Sequence, residues 1–532
     1  MKPFPGKALH STRCQAQAFQ SGRKGKPPQP PPSANDKKWQ RVLRQSRALP
    51  ANPRTMALTR LLYLEQSIEK GLNMPAAMDT DLLPRASDEQ KQAQRGATAL
   101  VAGVMRQRRL LDRTLDAWLD PGVDPQLRCL LRLAVHEAER GALPDHALTH
   151  TYVELTKGIL HVGAGRLVNA VLRQWIRSRG SAGRPSSDPG STSPGPSAAA
   201  APAPGTPIPP TDSIADGLAC MHSLPTWMVE RWVARLGVAE ASELCRALNI
   251  AAPHGLRLDV GGGARDALRE ELRGAGAALR PARWLPDHFV EVARGMQAVV
   301  RGGALARGAV AVQSEAAGAA VLLLGAAPGE AVLDACAAPG TKAMFLAARM
   351  RGEGRLVAAD ASAARLRLVE AAAAARGLVP PFFSTRAEGL EALAADGKLR
   401  AGFDRVLLDA PCSGTGVLAH KPDIRWRRKP GDVAELVSLQ RKLLIAAASL
   451  VKPGGVLVYS TCSLEAEENG EAVDWFLTET AEGRRFAACP PAEAARLVPR
   501  GLLNERGFLE AWPHRHGTDG AFAARLERLP GS

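Results

Sequence analysis

The stretch Val456-Leu-Val-Tyr-Ser-Thr-Cys-Ser463 has the pattern of a buried β-strand that ends in polar residues. A short apolar run followed by small polar residues is typical of a strand that is covered on both faces, as in a parallel sheet. Cys462 stands where the chain leaves the core, whereas a structural cysteine usually packs inside an element as a small hydrophobic residue. The pattern therefore indicates a thiol presented at the edge of a sheet.

Around this stretch, strand-like and helix-like runs alternate from residue 318 to the end of the chain. Such alternation predicts an α/β domain with a mostly parallel sheet wrapped by helices. The predicted strands are 331–335, 355–360, 381–384, 403–409 and 456–461, and the predicted helices are 342–351, 362–376 and 434–451.

Polar clusters follow four of these strands, at the edge where a doubly wound sheet binds its ligands. The small-residue turn Asp334-Ala-Cys-Ala-Ala-Pro-Gly-Thr-Lys342 lets backbone amides approach a ligand at a helix N-terminus. Asp360 follows the second strand, where an acidic residue suits a ribose diol. Asp409-Ala-Pro-Cys-Ser-Gly-Thr-Gly416 and Thr461-Cys462-Ser463 follow two later strands. Each signal is modest alone, but their order predicts that Cys412 and Cys462 face one crevice.

The remainder of the chain divides by composition. Residues 1–50 are of low complexity and are predicted to be disordered. Residues 51–179 carry apolar side chains at helical spacing and predict an all-α domain. A Pro/Gly/Ser/Ala-rich linker is predicted at 180–211, followed by a small α+β region at 212–310 and the α/β domain at 311–530.

The chain is strongly basic, with a formal net charge of +16. Such an excess favours a polyanionic partner such as nucleic acid. Arginines lie along the predicted helices and in the loop after Cys412, where a contact to RNA phosphate is expected. The candidate RNA-binding residues are Arg106, Arg109, Arg173, Arg425 and Arg427.

The first 35 residues contain basic residues but no Asp or Glu, which is typical of an organelle transit peptide. We predict an organelle, a chloroplast rather than a mitochondrion, with a cytoplasmic protein carrying a basic tail as the alternative. The eight cysteines are scattered and predict reduced thiols, without a disulfide framework or a metal site. No run of 18 apolar residues predicts a membrane span.

Three motifs resemble, in order, the signatures of S-adenosylmethionine-dependent RNA cytosine-5 methyltransferases. They are 334–340, 409–416 and Tyr459-Ser-Thr-Cys-Ser-Leu-Glu-Ala-Glu-Glu-Asn469. The layout resembles the small-subunit rRNA enzymes of the RsmB/Fmu/Sun type, and Leu167-Val-Asn-Ala-Val-Leu-Arg173 matches a motif of their helical part. The resemblance implies a NusB-like RNA-binding domain, an intermediate region and a class I (Rossmann-like) methyltransferase domain.

The resemblance also implies roles for individual residues. Cys462 would add to C6 of a cytosine in small-subunit rRNA, which makes C5 nucleophilic toward a methyl group. Cys412 would act in proton removal or product release, and Asp409 would bind the target base. We expect a monomer that binds rRNA and S-adenosylmethionine. The cofactor-binding residues implied are Cys336, Ala337, Ala338, Pro339, Gly340, Thr341, Lys342, Asp360, Glu388 and Asp409.

Sequence reasoning alone leaves the choice of nucleophile open, because DNA cytosine-5 methyltransferases use the cysteine of a Pro-Cys motif, which points to Cys412. Two further functions stay open: methylation of another RNA such as tRNA, and a ribosome-assembly or RNA-binding factor with little activity. The altered cofactor loop, with Thr341 in place of the family's Gly, is what keeps the latter open. Two further departures are Glu388, which takes the place of an Asp at the adenine end, and Ala521 in place of Phe, a packing change without a catalytic cost.

Overall fold

The computed structural model describes residues 33–70, 87–141, 143–181, 213–250, 254–261, 263–396 and 402–531. These residues form three consecutive parts, which we call the helical domain (33–181), the intermediate domain (213–312) and the α/β domain (313–531). None of the helices in the described part of the chain has both the length and the hydropathy of a membrane span.

In the helical domain, apolar side chains spaced three and four residues apart meet in one core. Helix α4 lies at its centre, with Leu130, Leu133 and Ala134 at most 1% exposed. The helices are α1 (Ala34–Arg47), α2 (Pro53–Lys70), α3 (Asp88–Asp116), α4 (Pro125–Glu139), α5 (Asp145–Ile159) and α6 (Val162–Ser181).

The predicted disorder of residues 1–50 is wrong for the segment that forms α1. Ser33 caps this helix through a reciprocal pair of hydrogen bonds with Asp36. Trp39 is fully buried in the core and donates from its indole nitrogen to Glu69 Oε2 over 2.7 Å. The surrounding charges and prolines obscured this short amphipathic pattern in the sequence.

Two other predictions fall on residues outside the described ranges. The transit peptide is predicted from the first 35 residues, of which 1–32 lie outside the described ranges, and the predicted linker lies outside them from residue 182 onward. Its first two residues, 180 and 181, belong to α6. The organelle destination therefore stays a prediction from composition.

The intermediate domain combines helices with an antiparallel sheet of strand order β2-β3-β1-β4. Helices α7 to α9 pack through Trp232 against Leu418 and Leu464 of the α/β domain, which flank the two cysteine-containing segments. The elements are α7 (Ile214–Met221), α8 (Thr226–Leu236), α9 (Val238–Ala247), β1 (His254–Leu258), α10 (Ala264–Gly274), β2 (Ala278–Pro281), β3 (Phe289–Arg294), α11 (Met296–Arg301) and β4 (Val310–Val312).

The α/β domain is built on a sheet of strand order β10-β12-β9-β8-β5-β6-β7, with β11 paired to β12. Its strands are β5 (Ala331–Asp334), β6 (Arg355–Ala359), β7 (Phe383–Arg386), β8 (Phe403–Asp409), β9 (Val451–Thr461), β10 (Phe486–Ala488), β11 (Leu509–Ala511) and β12 (Ala521–Arg528). Its helices are α12 (Glu315–Leu324), α13 (Thr341–Met350), α14 (Ala363–Ala374), α15 (Leu390–Ala395), α16 (Ile424–Arg427), α17 (Pro430–Leu450), α18 (Gly470–Glu479), α19 (Pro491–Leu497) and α20 (Pro513–His516).

The neighbouring strands β7, β6, β5, β8 and β9 run parallel to one another. Strand β12 is antiparallel to β9, and β10 is antiparallel to β12. Most of the parallel strands carry apolar runs because helices cover both faces of the sheet, whereas the edge strand β7 is polar apart from Phe383. Their carboxyl ends meet at one edge, which brings together the polar clusters after β5, β6, β8 and β9. This arrangement confirms the predicted class I α/β fold behind an all-α domain and an α+β region.

Candidate active site

The thiols of Cys412 and Cys462 lie in contact at the carboxyl edge of the sheet. Their Sγ atoms are 3.3 Å apart, and the backbone amide of Cys462 donates to Cys412 Sγ over 3.3 Å. Both side chains are partly exposed. The segments that carry them, 410–416 and 462–469, are called the cysteine loops below.

The two thiols have opposite acid–base character. A hydrogen bond from Cys412 lowers the pKa of Cys462, and the nearby ammonium groups of Lys342 and Lys421 act in the same direction. The same hydrogen bond, together with burial, raises the pKa of Cys412 well above its ordinary value. Because the thiolate is the nucleophilic form of cysteine, this asymmetry favours Cys462 as the attacking group.

Asp409 and Lys342 form an ion pair beside the thiols. Lys342 Nζ lies 2.6 Å from Asp409 Oδ2, and Ser460 Oγ donates to the other carboxylate oxygen over 2.9 Å. Burial lowers the pKa of Lys342, but the carboxylate of Asp409 outweighs burial and the pKa lies above its ordinary value. An ammonium group is thus kept beside Cys462.

The turn between β5 and α13, residues 335–342, is called the cofactor loop below. Gly340 adopts φ +107°, which L side chains rarely accept, and a Cβ there would lie 3.1 Å from the Val369 backbone. Asp360 fixes the loop by accepting from the amide of Ala338 over 3.2 Å, and its other oxygen accepts from the Ser362 amide over 2.9 Å. The predicted cofactor residues 336–342 and Asp360 are therefore adjacent.

Asp334 is a site residue to which sequence reasoning gave no role, although it opens the cofactor-loop motif. It is fully buried, and neither carboxyl oxygen has a hydrogen-bond partner among the described residues. Burial and the charge of Asp409 raise its pKa to about 7. Asp334, Asp360 and Asp409 are together called the carboxyl cluster.

A small cleft connects the end of the cofactor loop with Cys462. Lys342, Asp409, Cys462 and Asp519 are among the residues that line it. Asp519 was quoted in the sequence motif without a catalytic role, yet its carboxyl enters this cleft and lies 3.5 Å from the His420 imidazole. By contrast, Glu388 is exposed in the turn after β7 and lies outside this lining.

The predicted RNA contact is wrong for Arg425, whose side chain is fully buried. Its guanidinium donates to Asn249 Oδ1 over 2.9 Å and to the Ser223 carbonyl over 3.1 Å, both in the intermediate domain. The neighbouring Trp426 donates to the Met105 carbonyl of the helical domain over 2.6 Å. This basic segment therefore joins the three domains next to the Cys412 loop.

Two predicted RNA-binding arginines of the helical domain also serve internal contacts. Arg106 donates to the Ala419 carbonyl over 2.8 Å, and Arg109 forms an ion pair of 2.7 Å with Asp216. A run of basic residues on a helix does not reveal which surface packs against it, so the sequence could not exclude these contacts.

Two of the predicted RNA-binding arginines keep exposed surface. Arg173 is exposed on α6 in a shallow groove that also contains Arg166 and Lys157. Arg427 is partly exposed and pairs with Asp423 at 2.9 Å. An RNA contact at these two positions stays a prediction.

Three family profiles match consecutive parts of the chain. The NusB family matches residues 51–177, a ferredoxin-like domain of RsmF/B-like methyltransferases matches 224–291, and the 16S rRNA methyltransferase RsmB/F profile matches 321–527. These matches follow the division into helical, intermediate and α/β domains.

Individual relatives extend over most of the chain. A Bacillus subtilis protein described as "Probable ribosomal RNA small subunit methyltransferase B" is 30% identical over 487 residues, which are 89% of this chain and 98% of that protein. A Synechocystis protein of the same description is 30% identical over 440 residues, 82% of this chain and 91% of the relative.

A solved structure, PH0851, superposes on 90% of this chain and all of its own length, with a TM-score of 0.67 and 24% identity, which is a likeness of fold. The fold and the family matches define an RNA methyltransferase with a class I α/β domain. The chain belongs to the 16S rRNA methyltransferase RsmB/F family.

Proposed function

We propose that this chain transfers a methyl group from S-adenosylmethionine to C5 of a cytosine in small-subunit rRNA. The observation that carries the proposal is the pair of thiols at 3.3 Å beside the Lys342–Asp409 ion pair, at the end of the cofactor loop. Cytosine C5 is a poor nucleophile, and a thiolate that adds to C6 activates it.

The residues around the cofactor loop fit S-adenosylmethionine, which supplies an electrophilic methyl group when bound. The carboxyl cluster suits a ligand that carries an ammonium group, a sulfonium group and a ribose diol. Asp334 offers a buried carboxyl without a hydrogen-bond partner among the described residues, and Asp360 lies at the end of β6. Residues 336–342 would lie along the methionine part and Asp360 beside the ribose.

The chemistry then follows from the two thiols. The Cys462 thiolate adds to C6, a bond forms between Sγ and C6, and the electron pair of the C5–C6 double bond becomes available at C5. C5 would bond to the methyl carbon as the bond from that carbon to the sulfonium sulfur breaks, its electron pair staying on sulfur. H5 would then leave as a proton, and its electron pair would restore the C5–C6 double bond as the C6–S bond breaks to release the thiolate. The Lys342 ammonium would stabilise the negative charge that the base gains on addition, and Asp409 would hydrogen-bond the base. Cys412 would serve the later proton removal or product release.

Ribosomal RNA is proposed as the substrate because the relatives are described as small-subunit rRNA methyltransferases and the helical domain matches the NusB family. The net charge of +16 suits a polyanion. A target cytosine has to leave its stack to reach the thiols, since an enzyme cannot act on a base inside a duplex.

The test is transfer of labelled methyl from S-adenosylmethionine to unmodified small-subunit rRNA, with tRNA in a parallel reaction. Wild type should label cytosine C5 in the rRNA, and Cys462→Ala should not. Cys412→Ala should accumulate a covalent protein–RNA adduct, because its defect lies after the addition. Cys220→Ala, a partly exposed thiol of the intermediate domain, is the matched control and should behave as wild type.

Other outcomes would redirect the proposal. Transfer to tRNA alone would change the substrate, and label retained by Cys462→Ala but lost in Cys412→Ala would exchange the roles of the thiols. No transfer by a folded wild type would favour an assembly or RNA-binding factor that retains the fold.

A further inference from the structure

We propose that Glu468 is a positioning residue that holds the two thiols together by binding the serine that follows each cysteine. The proposal rests on the proposed function, because it concerns the pair of thiols to which that function assigns the chemistry. The family matches and the sequence motifs assign no role to this carboxylate.

Glu468 lies on the short 3₁₀ turn Ala466–Glu468 within the Cys462 loop, and its side chain contacts Ser463 of the same loop and Ser413 of the Cys412 loop. Its Oε1 accepts from the backbone amide of Ser413 over 2.8 Å. Its Oε2 accepts from the hydroxyls of Ser413 and Ser463, each over 2.5 Å. One carboxylate thus joins the residue after Cys412 to the residue after Cys462.

Because Glu468 is buried, breaking this link between the two loops is unfavourable. Glu468 is fully buried, and in the part of the chain that the structure describes it has no ion pair with a lysine or an arginine. Its charge is balanced by hydrogen bonds from the serines and by Gln440, whose Nε2 donates over 2.8 Å. Moving either loop would leave a buried anion short of donors, which is unfavourable, so the two loops hold each other in place.

The charge of Glu468 also acts on the thiols. The hydrogen bond with Cys462 and burial raise the pKa of Cys412, and the negative charge of Glu468 adds to that effect. Cys412 thereby stays protonated and donates to Cys462, which is the contact that lowers the pKa of Cys462. Other charged groups that face Cys462 are Lys342, Lys421 and Asp409.

The Cys412 loop has a second support that does not involve Glu468. Arg428 Nε donates to the Ser413 carbonyl over 2.9 Å, and Arg428 Nη2 donates to the Cys412 carbonyl over 3.0 Å. Arg428 thus binds two carbonyl groups of the loop, whereas Glu468 binds an amide and a hydroxyl group of Ser413. A variant at Glu468 therefore retains one anchor of the loop and is suitable for experiment.

The test measures alkylation of the full chain by iodoacetamide at pH 7, without RNA or S-adenosylmethionine, with the modified cysteines quantified by mass spectrometry. Wild type should label Cys462 ahead of Cys412. Glu468→Gln should reduce that preference by about tenfold or more, which is one pKa unit between the two thiols. Glu468→Asp keeps the charge and should restore part of the preference.

Glu467→Gln is the matched control, because Glu467 lies on the same turn but its side chain pairs with Arg231 of the intermediate domain and not with Ser413 or Ser463. It should label as wild type. A folded Glu468→Gln with the wild-type labelling ratio would overturn the proposal.

If Glu468→Gln does not fold, the double variant with Ser413→Ala and Ser463→Ala tests the proposal instead. It removes the hydroxyl donors and keeps the charge, so it should also lose the preference for Cys462, and an unchanged ratio would overturn the proposal. Because no methyl transfer is measured, a failure of the proposed function and a failure of this inference give separate results.

Discussion

The cysteine loops and the carboxyl cluster lie side by side in one site, yet their polar groups are satisfied in different ways. In the cysteine loops, the buried Glu468 accepts hydrogen bonds from both sides, and the thiols contact each other. In the carboxyl cluster, Asp334 is buried without a hydrogen-bond partner in the described part of the chain. One region is organised before any ligand binds, while the other carries negative charge that a cationic ligand would balance.

Lys342 connects these two regions, because its ammonium group pairs with Asp409 and lowers the pKa of Cys462. We expect Lys342→Met to reduce single-turnover methyl transfer by roughly 100- to 1,000-fold, as is usual when an electrostatic group of an active site is removed. Alkylation of Cys462 should require a higher pH in this variant, since the cation that favours the thiolate is absent.

The matched control for this largest effect is Lys452→Met. Lys452 forms an ion pair with Asp404 at 2.8 Å at the other end of β9, far from the thiols. It should retain the wild-type rate and pH profile. A wild-type rate in Lys342→Met would mean that the two regions work independently.

The second prediction concerns the carboxyl cluster and the effect of the titration of Asp334 on stability. Its pKa is raised to about 7 in the folded chain from an ordinary value near 3.8, so the folded state binds the extra proton between these pH values. The contribution of Asp334 to stability should therefore fall as pH rises from about 4 to about 7, and that contribution should be lost above pH 7.

Asp334→Asn removes this titration. Its free energy of unfolding should exceed that of wild type by roughly 2 to 4 kcal/mol at pH 8, with the difference shrinking toward pH 4. Urea denaturation at a series of pH values measures the difference. The exposed Asp287→Asn should show none of it, and a difference that does not depend on pH would show that Asp334 is not the titrating group.

The difference between local sequence signals and long-range contacts explains which features could be predicted from the sequence. The strand Phe403–Asp409 was predicted with the bounds it has, because an apolar run between turn residues is a local signal. The position of the polar clusters followed, since parallel strands place their ends at one edge. Strands β10 to β12 were not predicted individually, because β10 and β11 have only three residues each and β12 joins the sheet beside β9, far earlier in the chain.

The parts of the site that sequence reasoning missed depend on long-range pairing. Glu468 contacts Ser413, 55 residues away in the chain, and nothing near either residue indicates the contact. Arg425 resembled a nucleic-acid contact, yet it is buried against Asn249 because the intermediate domain covers it. A charged side chain alone does not show whether its partner is a ligand or another domain.

The smallest effect is expected at Thr341. This residue stands where the family has glycine, which is the reason for considering a ribosome-assembly or RNA-binding factor with little activity. The left-handed conformation of the cofactor loop belongs to Gly340, whereas Thr341 begins α13 and has no positive φ. Its carbonyl accepts from Arg257 over 2.8 Å, which a glycine would retain. Thr341→Gly should therefore cost at most about 1 kcal/mol of stability and should change the affinity for S-adenosylmethionine by less than about threefold.

Gly340→Ala is the contrasting variant in the same loop. A Cβ at Gly340 combines a positive φ with close contact to the Val369 backbone, so it should cost roughly 1 to 3 kcal/mol and weaken the affinity for S-adenosylmethionine. Calorimetric titration of both variants with S-adenosylmethionine compares them directly. If Thr341→Gly instead tightened binding more than about tenfold, the threonine would be a restraint on the cofactor loop, and a chain with reduced activity would become the better description.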